Sequence, residues 1–517
     1  MYRTSTASSV FNAVFIALIV IAGGSASAQN GAAMRAADSI TPAGLLRYLS
    51  AITDDSTRGR QTPSKELESV ARYLGARLGQ FGLKPGGDNG SFLQEYPFEV
   101  IRFDFDRSGI ILPGGSRFPL GEKVLYLGGR LSGSAGKATA PAILVSGLPE
   151  RPAEIDSIAN AITGKVALVV AGYEGQAADV HHDFIANLIG RRPGPAALVL
   201  LAQRPDSDWA YIEWQLKLGK ARQLGTPEAK NRPMPILEVR DDVFGALLAK
   251  RGFDIVAARH NPHQRLTLTP LEDLDVTVEL HDSVTVSHSV NVVAILEGSD
   301  PRLKDEYVAL SAHMDHLGVG PVVRGDSIYN GADDNGSGTV GMVGVAQALA
   351  LVGPAPRRSV IVLLASGEER GSLGSQYFVA HPPVPISQVV ANFTADMIGR
   401  NWKDSIAVVG KEYSDLGATV SAVARQHPEL KMRPVDGPPN FFGRSDEISF
   451  ARKGVPVLYF HNGEHTDYHR PSDEVGKIDP EKLSRVTKLM FYLVLTVANA
   501  EQRPQWDAKY YQKIVGR

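Results

Sequence analysis

The sequence predicts an α/β fold: a mixed, mostly parallel sheet flanked by helices, with a smaller β-rich insert. Three observations predict it. From His288 onward, short apolar runs alternate with apolar-periodic segments, the rhythm of a sheet covered by helices on both faces. Polar residues gather just after those apolar runs, where open α/β sheets bind their ligands. Between Ser116 and Leu271 the texture changes to short apolar strands separated by loops rich in Gly, Pro and Arg. At 517 residues, 43% apolar and 21% charged, the chain is long enough for two or three domains with a sizeable core.

The chain reads in order as follows. Arg3, the apolar run Val10–Ala22 and the small-x-small site Ala26-Ser27-Ala28 make residues 1–28 a secretory signal peptide, cleaved after Ala28. The mature protein is then expected to be periplasmic or secreted, with no stable membrane insertion after cleavage. The chain contains no cysteine, which excludes disulfides and thiolate metal sites, and leaves His, Asp and Glu to hold any metal. A net charge of −2 gives no sign of a nucleic-acid partner. Residues 29–115 are assigned to the N-terminal part of the main domain. There Thr41-Pro42 and Thr62-Pro63 each read as a cap followed by proline at the start of a helix. The second helix carries Leu67, Val70, Ala71, Leu74, Leu78 and Phe81 on one face and stops at Gly82. A strand follows over 92–105.

The insert is drawn at 116–271, with strands near 142–147, 165–173, 196–202 and 234–240 and one short helix over 241–252. It carries no acid–base or metal cluster, and its His181-His182 pair reads as surface polarity. Residues 272–517 form the rest of the main domain. Its strands are expected at 291–298, 306–313, 359–366, 389–396, 406–411 and 456–461, and its helices at 338–351, 414–426 and 479–500. The tail after Pro504 is left unassigned.

Five phrases carry chemistry: AHMDH (312–316), GADDNGSG (331–338), ASGEERGS (365–372), NFTADM (392–397) and HTDYHRPSDE (465–474). His313 ends one strand, Glu368 and Glu369 follow another, Asp396 ends a third, and the 331–338 loop enters a helix. Together these strand ends suit a pair of zinc ions sharing one bridging carboxylate. Two histidines and three carboxylates bring −3 against +4 from two Zn²⁺, and the remaining +1 favours hydroxide, the nucleophile such a site makes. The adjacent glutamates divide the work, one ligating and the other moving a proton. Asp315, two residues beyond His313, is placed to accept the other imidazole N–H, and Asp473 to support the loop of His469. Asp333 and Asp334 compete for the bridging position. His461 and His465 compete with His469 for the last ligand position, and His316 is a secondary candidate for substrate contact.

The ordered set AHMDH, GDSIYNGADDNGSG, SGEERGSLGS, DMIGR and DYHRPSDE resembles the M28 family of zinc peptidases, the aminopeptidase-type dinuclear enzymes. The likeness covers roughly 288–500, and GRQTPS and FGLKPGGDNGSFLQEYPF near the N-terminus also fit. The insert resembles a protease-associated (PA) domain. The resemblance implies that His313 and Asp396 bind one zinc, Glu369 and His469 the other, and that Asp334 bridges. It makes Glu368 the general base and Asp315 the residue that orients His313. The implied function is an aminopeptidase that removes N-terminal residues from peptide substrates through metal-bound hydroxide. Alternatives on the same fold are a carboxypeptidase or dipeptidase, for which Arg400, Arg444 and Arg470 offer cations, and a glutaminyl cyclase; a non-catalytic binding ectodomain is a further alternative. Where many relatives read SDH, this chain reads SDE, with Glu447 expected to pair with Arg444 or Arg452 rather than with a substrate ammonium. Tyr459 and Tyr468 are the candidate hydroxyls for steadying an oxyanion.

Overall fold

The structure is a computed structural model that describes residues 31–515, apart from 129–135, 150, 173–175, 190–192, 227–233 and 262–263. The expected signal peptide therefore lies outside the described residues. No helix among the described residues is long and apolar enough to cross a membrane. The chain divides into two compact units, one made of the residues up to Phe98 and from Ser287 onward, the other of Glu99–Val286.

The first unit contains β1 (Leu93–Phe103), β2 (Asp282–Leu296), β3 (Tyr307–His313), β4 (Ser359–Ala365), β5 (Val389–Ala395), β6 (Ser405–Val409), β7 (Arg433–Asp436) and β8 (Val457–His461), the first two running on into the second unit. They lie in the order β7-β6-β8-β5-β3-β4-β2-β1. The pairs β4–β3, β3–β5 and β5–β8 are parallel, whereas β2–β4 and β6–β8 are antiparallel. Every residue of β4, β5 and β8 is buried, as expected of parallel strands covered on both faces. Four parallel strands thus end on one rim, and that is where the polar phrases lie.

The helices are α1 (Pro42–Thr53), α2 (Lys65–Gln80), α3 (Gly338–Leu351), α4 (Leu373–Ala380), α5 (Leu416–Gln426), α6 (Glu447–Ala451) and α7 (Pro480–Asn499). Thr41 and Asp479 cap α1 and α7 as their sequences predict, accepting from Gly44 N and Lys482 N. The expected cap at Thr62 is corrected. Ser64 caps α2, its hydroxyl accepting the Leu67 N–H at 3.0 Å, and Thr62 is turned inward to the site. Leu67, Val70, Leu74 and Leu78 of α2 join α1, α3 and α7 in a core that includes Leu310, Val362 and Phe393 of the sheet. The unassigned tail forms a short helix, Ala508–Ile514.

The second unit is an eight-stranded sheet. Its four middle strands Lys137–Ser146, Val166–Val170, Ala197–Leu201 and Ile236–Val239 are mutually parallel. Stretches read as loops in the sequence fold as helices, at Pro152–Ile162, Gln176–Ile189 and Asp206–Leu218. Neighbouring parallel strands need a connection of a dozen or more residues to return the chain, most often a helix, a constraint set by pairing rather than by local pattern. The unit is also wider than 116–271, because Gly109–Ile111 and Thr267–Glu279 pair with each other in its sheet. His182 is exposed, and the His181 side chain lies outside the described residues.

Candidate metal centre

His313 closes β3, and its ring is buried, 1% exposed. Its Nε2 lies 3.6 Å from Asp334 Oδ1, 3.6 Å from Asp396 Oδ1 and 4.0 Å from Glu368 Oε2. On the other side, His469 Nε2 lies 3.2 Å from Asp334 Oδ2 and 3.3 Å from Glu369 Oε2. The edge of a tetrahedron of donors around zinc, with bonds near 2.0–2.1 Å, is about 3.3–3.4 Å. Two donor triads of roughly that spacing therefore share Asp334, one through each of its oxygens. Asp396 Oδ1 is buried without a hydrogen-bond partner, as suits a donor for a cation.

Electrostatics point the same way. Burial alone would lower the His313 imidazole, but Asp396, Asp315 and Glu368 reverse that and hold it well above its ordinary value. His469 is likewise lowered by burial, yet Glu369 and Asp334 push it up to about 12. The carboxylates thus create a strongly negative site that favours positive charge. Burial raises Glu368 well above the ordinary carboxylate range, and neighbouring Glu369 and Asp396 add to this against the opposing His313. Glu369 is driven well below that range: burial would raise it, but His469 and His316 overcome it. The two adjacent glutamates are therefore shifted in opposite directions, the condition for different roles.

Loop geometry delivers these groups. Asp334 sits in the turn Ala332–Ser337, ahead of α3. Asp473 Oδ2 accepts the main-chain N–H of both Asp333 and Asp334 at 3.0 Å, which fixes the turn. Asp333 faces away from Asp334's partners: its Oδ1 accepts Gly399 N–H at 2.8 Å, and its Oδ2 lies 3.3 Å from His465 Nε2. His465 Nδ1 accepts from Arg400, so this histidine belongs to the supporting layer. His461 ends β8 with Nδ1 donating to Asp396 O at 2.9 Å, and its ring lines the cleft. His316 is buried and does not line the cleft; its Nδ1 lies 2.7 Å from Glu369 Oε1 and 3.8 Å from Asp334 Oδ2, which places it as a further nitrogen beside the carboxylates that His469 faces rather than as a group open to substrate. Asp315 Oδ1 lies 3.7 Å from His313 Nδ1, and its main-chain oxygen lies closer, at 3.2 Å.

The cleft is lined by His313, Asp334, Glu368, Glu369, Asp396 and His469, with Phe441, Arg444, Tyr459, Glu464 and Tyr468 among its walls. Glu447 departs from its expected pairing. It is fully buried, its Oε1 accepting Gly443 N–H at 2.7 Å, while Arg444 pairs at 2.7 Å with Glu464, itself in the cleft wall. Burial raises Glu447 to about 8, and its neighbour Asp446 to about 6. Asp446 and Arg60 are buried polar groups near the centre that the sequence reading did not single out; Arg60 lies in a phrase noted only for its overall likeness.

Residues 291–494 match the model described as Peptidase family M28. Aminopeptidase YwaD of Bacillus subtilis (strain 168) is 26% identical over 50% of this chain and 54% of its own length. The chain thus spans about half the length of this curated relative. Among solved structures, an aminopeptidase from Aneurinibacillus sp. strain AM-1 superposes with a TM-score of 0.55 at 17% identity, covering 89% of this chain and 95% of that one. A zinc aminopeptidase from Bacillus subtilis gives 0.54 at 16%, covering 88% and 94%. At such identities these two likenesses speak to the fold, and the family model speaks to the segment that holds the donors. The segment that carries all of the donors, residues 291–494, is thus the part of this chain that matches peptidase family M28.

Proposed function

We propose that this chain is a zinc aminopeptidase with two metal ions, acting on peptides outside the cytoplasm. The observation that carries the reading is the sharing of Asp334 between two donor triads, with Glu368 beside them in the cleft wall. In this reading His313, Asp334 and Asp396 hold one zinc, and Asp334, Glu369 and His469 the other. Zinc bound there would lower the pKa of a coordinated water towards 7 and polarise the scissile carbonyl. Glu368 takes the proton of the attacking water and passes it to the leaving amine, a role suited to a carboxyl whose burial raises its affinity for protons. Asp315 holds the far side of the His313 ring. The Tyr459 hydroxyl donates to Asp396 Oδ2 at 3.3 Å, so Tyr468, stacked on the His469 ring at 3.9 Å, is assigned to the developing oxyanion. The expected signal peptide supports a periplasmic or secreted site of action, and the insert is read as PA-like.

One observation favours a second reading. Arg444 lines the cleft, and a guanidinium there suits the free carboxylate of a dipeptide. The test is mass spectrometry of a mixed peptide pool incubated with zinc-loaded enzyme, beside Glu368→Gln. Ladders shortened from the amino end, lost with the variant, support the aminopeptidase. Cleavage confined to dipeptides supports the second reading. Equal turnover by Glu368→Gln removes Glu368 as the base.

A further inference from the structure

The segment Gly59–Thr62 lies roughly 250 to 410 residues before the donors in sequence, yet it is wired into three of the loops that carry them. Arg60 is completely buried, 0% exposed. Its Nε donates to Met314 O at 2.8 Å, Nη1 to Asn330 O at 2.5 Å and Ile52 O at 3.1 Å, and Nη2 to Gly331 O at 3.0 Å. Met314 follows His313, while Asn330 and Gly331 open the turn that presents Asp334. One guanidinium therefore ties the end of β3 to the Asp334 turn, and the Arg60 carbonyl accepts the His316 N–H at 3.2 Å. Its charge survives burial, which lowers it only to about 10, because Asp315, Asp334, Asp473 and Glu369 act against the loss.

Thr62 extends the connection to the third loop. It is 1% exposed, and its hydroxyl donates to Asp315 Oδ2 at 2.9 Å while accepting the Gly367 N–H at 3.0 Å. Asp315 Oδ1 in turn accepts the Glu368 N–H at 3.3 Å. The hydroxyl thus fixes the carboxylate behind His313 and the strand end that presents Glu368 and Glu369. Gly59 makes the approach possible: a Cβ there would lie 2.5 Å from Tyr329 O and 2.6 Å from Gly318 O.

We propose that Gly59–Thr62 is a positioning clamp for the metal centre, in which the Arg60 fork and the Thr62 hydroxyl hold the donor loops at their spacing. The proposal rests on the metal reading above. A guanidinium is needed because a lysine ammonium keeps the charge but cannot reach the same carbonyls as a planar fork.

The test uses the full-length chain and measures zinc stoichiometry, zinc affinity by chelator competition, and thermal midpoint. Thr62→Val keeps the volume and removes the hydroxyl; Thr62→Ser keeps the hydroxyl; Arg60→Lys keeps the charge. Orienting groups behind metal ligands are worth about 10–100-fold in metal affinity. Thr62→Val is expected to weaken at least one zinc about tenfold and to lower kcat with KM unchanged at saturating zinc. Thr62→Ser restores both, and Arg60→Lys weakens zinc binding while folded at the assay temperature. A role confined to packing would be kept by Val and lost by Ser, the opposite order. Zinc affinities within twofold of the parent in Thr62→Val and Arg60→Lys overturn the clamp alone. A parent chain that binds no zinc overturns the metal reading and the clamp together.

Discussion

Glu447→Gln separates burial from function at a buried position behind the cleft wall. Glu447 is wholly buried, with Oε1 hydrogen-bonded to Gly443 N–H and Oε2 lacking a partner. Burial is the main cause of its rise from 4.5 to about 8, and the charges of Asp446 and Asp396 add to it. A carboxyl that binds its proton more tightly in the folded state stabilises the fold at low pH. That contribution is complete below about 4.5 and is lost as pH rises through about 8. At 1.36 kcal/mol per pH unit, the interval corresponds to roughly 5 kcal/mol as an upper bound, enough to move a melting point by several degrees. Glutamine keeps the shape and the acceptor for Gly443 but has no charge to bury. The thermal midpoints of parent and variant, compared at pH 5, 7 and 9, should be similar at pH 5, with the variant progressively more stable above it. Comparison at equal pH cancels other titrations common to both chains. A difference that is the same at pH 5 and pH 9 would refute the reasoning, since Glu447 would then titrate alike in the folded and the unfolded chain.

Three further outcomes follow from the geometry. Asp473→Ala leaves two buried main-chain N–H groups unpaired, at about 1–3 kcal/mol each, so it should lower the melting point and reduce zinc content together; an unchanged zinc content would separate Asp473 from the Asp334 turn. Gly338→Ala places a Cβ 2.2 Å from Asn335 Oδ1 and 2.3 Å from Ala395 O at the start of α3, and should cost about 1–3 kcal/mol, read as a fall in melting point. Arg444→Gln removes one partner of a half-exposed ion pair with Glu464, worth about 0–1 kcal/mol, so stability should hold. On the aminopeptidase reading its KM for dipeptides and for dipeptide amides changes in parallel; a rise confined to free dipeptides supports the dipeptidase.

The candidate donors that the structure brings together could be picked out from local phrases: an apolar run ends and His313, Glu369 or Asp396 follows, whatever lies elsewhere in the chain. The helices α3 and α7 were legible for the same reason, since caps and periodicity are local. What escaped was non-local. Thr62 before Pro63 has the sequence of a helix cap, and only the return of Asp315 and Gly367 to its side makes the hydroxyl a connector. Arg60 has no charged sequence neighbour in its role; it satisfies carbonyls from Ile52, Met314, Asn330 and Gly331. Glu447 looked like a partner for Arg444, one helical turn away from its own position, because charge suggests pairing. The fold instead buries Glu447 and pairs Arg444 with Glu464. In the second unit, helices were missed where short loops between parallel strands gave weak periodicity, and its limits were missed because strand pairing rather than composition sets them.

The measurement that bears most directly on the central claim is zinc stoichiometry of the purified chain beside Asp334→Ala. Asp334 alone stands in both donor triads, Oδ1 towards His313 and Oδ2 towards His469. The account predicts about two zinc ions per chain in the parent and one or none in the variant. Two ions retained by Asp334→Ala with unchanged affinity would contradict it, because the shared carboxylate would then hold neither.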